Sequence, residues 1–366
     1  MIEKKQRERI FGLDLVRVLA NLFILFAHTE WIYPKSSGVV SKIKDVLGFI
    51  GIEVFFVISG FFVGQTLYAI YNSSEAKLNQ FLLFFRRRAI RILPNYYLAL
   101  IINLGIVLYF NLEKVDVGRY FLLLQNGVTA PSYFFNESWS IPVKEWSYLT
   151  LVIVLLAVAV LQKNKFMKLK FVSVVTLLTF FFILTKMIYN SDHATSNLYD
   201  WNASLHKVVL HRMDSVFIGV LCAVIYVEFS IIWTKSRYWT FVLGGVSIAL
   251  LVGCMKQFSM DAFPFFWNVL LLPLLSVAIA LTLPFFSEWK TKWVMGKAQI
   301  QLMSKMSYAI YLLHYSIILF LLKQWIDTSQ FSMNQLHVFT LFYFALTFAL
   351  SYMMYRWFEK PISKYR

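Results

Sequence analysis

Two ionisable residues bracket the apolar run RVLANLFILFAH: Arg17 opens it and His28 closes it. A charge at bilayer depth costs at least about 2.5–3.5 kcal/mol, so something must offset that cost. Eleven residues at 3.6 per turn place both on one helix face, about 16 Å apart along the axis. Arg17 either snorkels to the nearer surface or lines a passage. His28 either closes a hydrogen bond between helices or acts as a base, since an imidazole exchanges protons near neutrality.

Other side chains extend the pattern. Glu53, in GFIGIEVFFVISGFFVG, falls at a depth comparable to His28. It either faces interfacial water or orients the imidazole as the acid of a catalytic triad does. Gly60 and Gly64 in the same run have the spacing that lets helices approach closely. In FFRRRAIRILPNYY, Arg88 and Arg91 are three apart and share a face, a geometry suited to phosphate oxygens or to anionic lipid. Lys144 and Glu145 sit at a helix entrance in NESWSIPVKEWSYL, and Arg212 and Asp214 open another span in HKVVLHRMDSVFIGV. His314, in MSYAIYLLHYSI, falls at mid-depth and reads as either a packed polar group or a site residue.

The chain that must position these groups has 366 residues, 59% hydrophobic and 15% charged. Soluble domains are nearer 45–50% apolar and about 25% charged, so this is a polytopic membrane protein. The net charge of +16 sits in short loops between apolar runs, which argues for the positive-inside bias and against nucleic-acid binding. Cys222 and Cys254 lie in apolar runs and are too few for a zinc site, and no metal is expected. The basic start MIEKKQRERIF leads into a long run without a small-residue cleavage site and reads as a retained first helix.

At about 20 residues per crossing, ten spans are expected, near 10–33, 46–70, 91–110, 145–162, 169–189, 207–229, 238–256, 265–286, 302–324 and 336–358. With the N-terminus inside, about 23 of the 35 Lys and Arg fall on the cytoplasmic side. The expectation is therefore an all-α bundle of about ten transmembrane helices with both termini cytoplasmic. It forms one membrane domain over 1–366 with no appended soluble domain. Arg17, Arg88 and Arg91 then lie toward the cytoplasm, and His28, Glu53, Arg212 and Asp214 toward the outside.

The order of these motifs resembles the acyltransferase 3 family of membrane acyltransferases over nearly the whole chain. The resemblance rests on GLDLVRVLANLFILFAH, GIEVFFVISGFF, RRRAIRILPNYY, WSIPVKEWSYL, HRMDSVFIGV, SYAIYLLH and YRWFEKP. It implies a bacterial inner-membrane enzyme that moves an acyl group, usually acetyl, from cytoplasmic acyl-CoA to a hydroxyl of a cell-surface carbohydrate or glycolipid. By the same resemblance His28 is the catalytic residue, as general base or acyl carrier, and Glu53 matches the family's acidic position. Arg17, Arg88 and Arg91 match positions tied to acyl-CoA. Glu145, Arg212 and Asp214 are read as acceptor-side residues. The family commonly has Glu where this chain has Lys144, with Glu145 following. The alternatives are a non-catalytic transporter or flippase of a glycolipid, and an acyltransferase acting on a small molecule.

Overall fold

The computed structural model describes residues 9–33, 39–73, 77–112, 116–131, 134–161, 166–192, 197–291 and 296–365. Lys4, Lys5, Arg7, Lys163, Lys165, Lys292 and Arg366, which contribute to the charge bias, lie outside the described residues.

Among the described residues ten long helices carry the fold: α1 Phe11–His28, α2 Val39–Asn72, α3 Lys77–Tyr109, α4 Ser140–Leu161, α5 Met167–Asp192, α6 Met213–Glu228, α7 Ser230–Gln257, α8 Leu271–Glu288, α9 Lys297–Leu313 and α10 Met333–Met353. No strand is found among the described residues. Lipid leaves each chain segment to satisfy its own backbone, which a helix does and an open sheet does not. Nine described helical stretches are long and apolar enough to cross a bilayer. The tenth expected crossing, 207–229, is the exception. Its helix, α6, begins only at Met213 and has 16 residues. The chain before it is irregular and is held by Asn126, whose side chain donates to the carbonyls of Lys207 and Trp139 at 2.6 and 2.9 Å. Such irregular backbone is tolerated at membrane depth only inside protein. Eleven of the 16 α6 residues are buried, which fits a central helix screened from lipid. α7 is the opposite case, with only Trp233 and Gly244 buried.

Helix ends also differ from the expected spans. α3 was expected near 91–110 but starts at Lys77. A bilayer crossing needs only about 20 residues, so a longer helix continues past the apolar window into charged sequence. Arg88 and Arg91 thus stand on a continuous helix.

α2 and α6 run parallel in the middle of the bundle. A Cβ on Gly60 would stand 3.0 Å from the Gly219 Cα and collide with the Val216 carbonyl; one on Gly64 would stand 2.9 Å from the Val220 Cα. Small residues let the backbones meet, which is how membrane helices associate without a hydrophobic driving force between them. At one end of the bundle Arg9 donates to Asp14 and Ser304, and Asn95 donates to Glu359 at 2.9 Å. Arg91 acts electrostatically on both Arg17 and Glu359. The two described ends of the chain therefore share one end of the bundle.

Candidate active site

α1, α2, α3, α4 and α9 enclose a cavity of about 860 Å³. Arg17, Arg88, Arg91, Lys144 and Glu145 line it, and Tyr311 lies on its wall. Arg17 packs its guanidinium over the Phe62 ring at 4.3 Å, so its face of α1 turns inward rather than toward lipid headgroups. Arg88 is held as a fork: its Nε and Nη2 donate to Glu145 at 2.6 and 2.7 Å, and its guanidinium carbon lies 4.2 Å from the Tyr148 ring centroid. A bidentate pair of this kind fixes the plane of the guanidinium. Glu145 therefore belongs with Arg88 in the arginine-lined cavity, apart from Arg212 and Asp214, with which the sequence reading grouped it. Position near a helix entrance gave its depth but not the direction of its side chain. Lys144, the departure from the family pattern, also faces the cavity, 5.9 Å from the Tyr311 ring centroid.

His28 is linked to Tyr311 through His314. Its Nδ1 is 2.8 Å from Nε2 of His314, and the Nδ1 of His314 is 2.8 Å from the Tyr311 carbonyl oxygen. A carbonyl only accepts, so His314 carries its proton on Nδ1. With both rings neutral, the remaining assignment follows from the hydrogen-bond network. His314 Nε2 is a lone pair, His28 Nδ1–H donates to it, and His28 Nε2 keeps a free lone pair. Among the described residues no hydrogen bond uses His28 Nε2. The α9 helix widens into π geometry over His314–Leu319, immediately at this residue. Such bulges re-aim side chains and recur at functional sites.

The far side of His28 is aromatic and polar. The Tyr315 ring lies 4.4 Å from the His28 ring, and Trp31, which is 61% exposed, meets Tyr315 edge-on at 5.8 Å. Glu137 is buried nearby, and its Oε1 accepts from the Ser316 backbone N–H and hydroxyl at 3.1 and 2.7 Å. Lys207 donates to Asn136 at 2.9 Å and acts electrostatically on both His28 and Glu137.

Glu53 does not orient His28. Its carboxylate accepts from Arg212 and from the Ser276 hydroxyl. Asp214 in turn accepts from Lys186 at 2.6 Å. All four charged side chains are fully buried, and none lines the cavity. Glu53 is seven residues before Gly60, and Arg212 is seven before Gly219. Parallel helices that cross at the glycines therefore bring these two into register. The charges read from the sequence as an orienter and as acceptor-side groups instead join α2, α5, α6 and α8 internally. The sequence reading passed over their partners: Lys186 falls near the end of the expected span 169–189, where a lysine reads as interfacial, and Ser276 is a neutral residue in an apolar run. Breaking a buried ion pair on one side costs about 3–5 kcal/mol, while replacing both partners by apolar groups of similar volume is often neutral. Asp214→Ala should accordingly lose most of the folded protein recovered in mild detergent. The double variant Lys186→Met/Asp214→Leu should recover it, as read by size-exclusion yield and thermal unfolding.

The chain belongs to the acyltransferase family described as "Acyltransferase domain", which matches residues 10–356. Among similar proteins, one of Staphylococcus aureus (strain COL), provisionally named an O-acetyltransferase, is 23% identical over 98% of this chain and 58% of its own length. A second of S. aureus (strain MSSA476), named in the same way, is 23% identical over 96% of this chain and 57% of its own. The peptidoglycan O-acetyltransferase OatA of Listeria monocytogenes is 22% identical over 98% of this chain and 56% of its own. The chain thus spans a little over half the length of these relatives. No solved structure matches.

Proposed function

We propose that this chain is an O-acyltransferase. It takes an acyl group, acetyl in the simplest case, from acyl-CoA on the cytoplasmic side and delivers it to a hydroxyl of a cell-surface carbohydrate. One observation carries this reading: Tyr311 lines the arginine-lined cavity, and its carbonyl accepts from His314, the hydrogen-bond partner of His28. Arg17, Arg88 and Arg91 bind the phosphates of the donor, and its pantetheine arm reaches along the cavity toward Tyr311. Trp31 and Tyr315 offer aromatic faces to the acceptor sugar. The bilayer is the bacterial cytoplasmic membrane, with the shared end of the chain inside, as the charge bias favours.

In the reaction, the acceptor hydroxyl oxygen attacks the thioester carbonyl while His28 Nε2 removes its proton. The tetrahedral intermediate collapses with cleavage of the C–S bond. The thiolate of CoA leaves and receives the proton held by His28. Protein in lipid nanodiscs, given acetyl-CoA and envelope carbohydrate, should release free CoA thiol in proportion to acylated product. Movement of a glycolipid across the bilayer with no thiol released would replace this reading by a transporter.

A further inference from the structure

We propose that His314 is the positioning residue of the reaction: by holding the proton of His28 on Nδ1, it makes Nε2 the only basic nitrogen of that ring. The inference rests on the acyl-transfer reading above and adds to it the partner of the base. In a Ser-His-Asp site a carboxylate performs this task, holding the imidazole in one tautomer and in one orientation. The nearest candidate by sequence depth, Glu53, is fully buried and taken by Arg212 and Ser276. The position beside Nδ1 is filled instead by a second imidazole, itself locked by a backbone carbonyl.

The physical logic of a neutral partner is specific to this location. A free carboxylate at this depth would cost several kcal/mol to desolvate. A neutral imidazole accepts one hydrogen bond at little such cost. It also selects the tautomer, because its other nitrogen is committed to Tyr311. His314 is fully buried, so its ring has no alternative partner in solvent. The groups that face the pair are few. Tyr311 and Tyr315 flank it from the same helix, and Lys207 acts on His28 from the irregular stretch ahead of α6. Glu137 stands behind Tyr315 and Ser316. When His28 becomes an imidazolium during the reaction, His314 Nε2 remains its hydrogen-bond acceptor.

A packing role and a tautomer-selecting role predict different results. Gln can accept from His28 Nδ1–H through its amide oxygen; Leu fills similar space but accepts nothing. Inside-out vesicles from native cells that carry each variant supply their own acceptor, and [14C]acetyl-CoA incorporation into envelope carbohydrate gives kcat and KM. His314→Leu should lower kcat about 100-fold or more, with the KM for acetyl-CoA within threefold of wild type. His314→Gln should retain at least a tenth of wild-type kcat. His314→Glu, with a stronger acceptor, should move the acidic limb of the pH–rate profile upward. Direct binding of tritiated acetyl-CoA reports whether each variant is folded.

Equal loss in the Gln and Leu variants with binding retained would overturn the proposal, as would near-normal turnover in His314→Leu. A normal His314→Leu with an inactive His28→Ala removes His314 alone. An active His28→Ala removes the acyl-transfer mechanism itself.

Discussion

Replacing His28 by Ala is expected to reduce acyl transfer by about 10²–10⁴-fold while leaving acetyl-CoA binding intact. The separation follows from geometry. The cavity proposed to hold the donor is lined by Arg17, Arg88, Arg91 and Tyr311, and His28 is not part of that lining. On the proposed reading, deleting the imidazole removes the base and leaves the cavity lining intact. The hydrogen bond to His314 and the ring contact with Tyr315 are lost, and His314 stays anchored to Tyr311. The measurement is thiol release in nanodiscs beside equilibrium binding of labelled acetyl-CoA. Full turnover in the Ala variant would exclude His28 from the chemistry. Loss of binding together with turnover would place it in the donor site instead.

The second large effect concerns Arg88 and Arg91. Hydrogen bonds to charged groups contribute about 1.5–3 kcal/mol each, so removing either arginine should raise the KM for acyl-CoA by roughly 10- to 150-fold. The effect on kcat should be small, because phosphate is held equally in ground and transition states. Arg88 has an added consequence, since its loss leaves Glu145 without its bidentate partner inside the cavity. Arg88→Ala combined with Glu145→Gln relieves that unpaired charge, so the double variant should recover yield and not affinity. Both arginine effects should weaken in high salt if the ligand group is phosphate. A rise confined to the acceptor KM would refute the donor role.

Much of this site is legible in the sequence because lipid is an unforgiving solvent. An ionisable residue in an apolar run is expensive, so Arg17, His28, Glu53 and His314 stand out by composition alone. Helical periodicity then gives each a depth and a face. Depth, however, is shared by many residues on different helices. Glu53 and His28 were matched on that basis, and the bundle pairs Glu53 with Arg212 and His28 with His314. The Gly60–Gly219 crossing decides the first of these, by bringing α2 and α6 together in parallel register. The π turn that begins at His314 accompanies the second.

The sequence alone determined that the chain is an α-helical membrane bundle, that several residues carry charge into it, and which family its motifs follow. Apolar run length and charge bias are one-dimensional properties, and the bilayer converts them directly into spans and depth. The tertiary structure alone decided the partners. It placed Glu145 on Arg88, made Arg212 and Asp214 internal ion pairs, and shortened α6 to a helix screened from lipid. Partner choice depends on which helix faces meet, and that is fixed by packing between helices rather than by the pattern within any one.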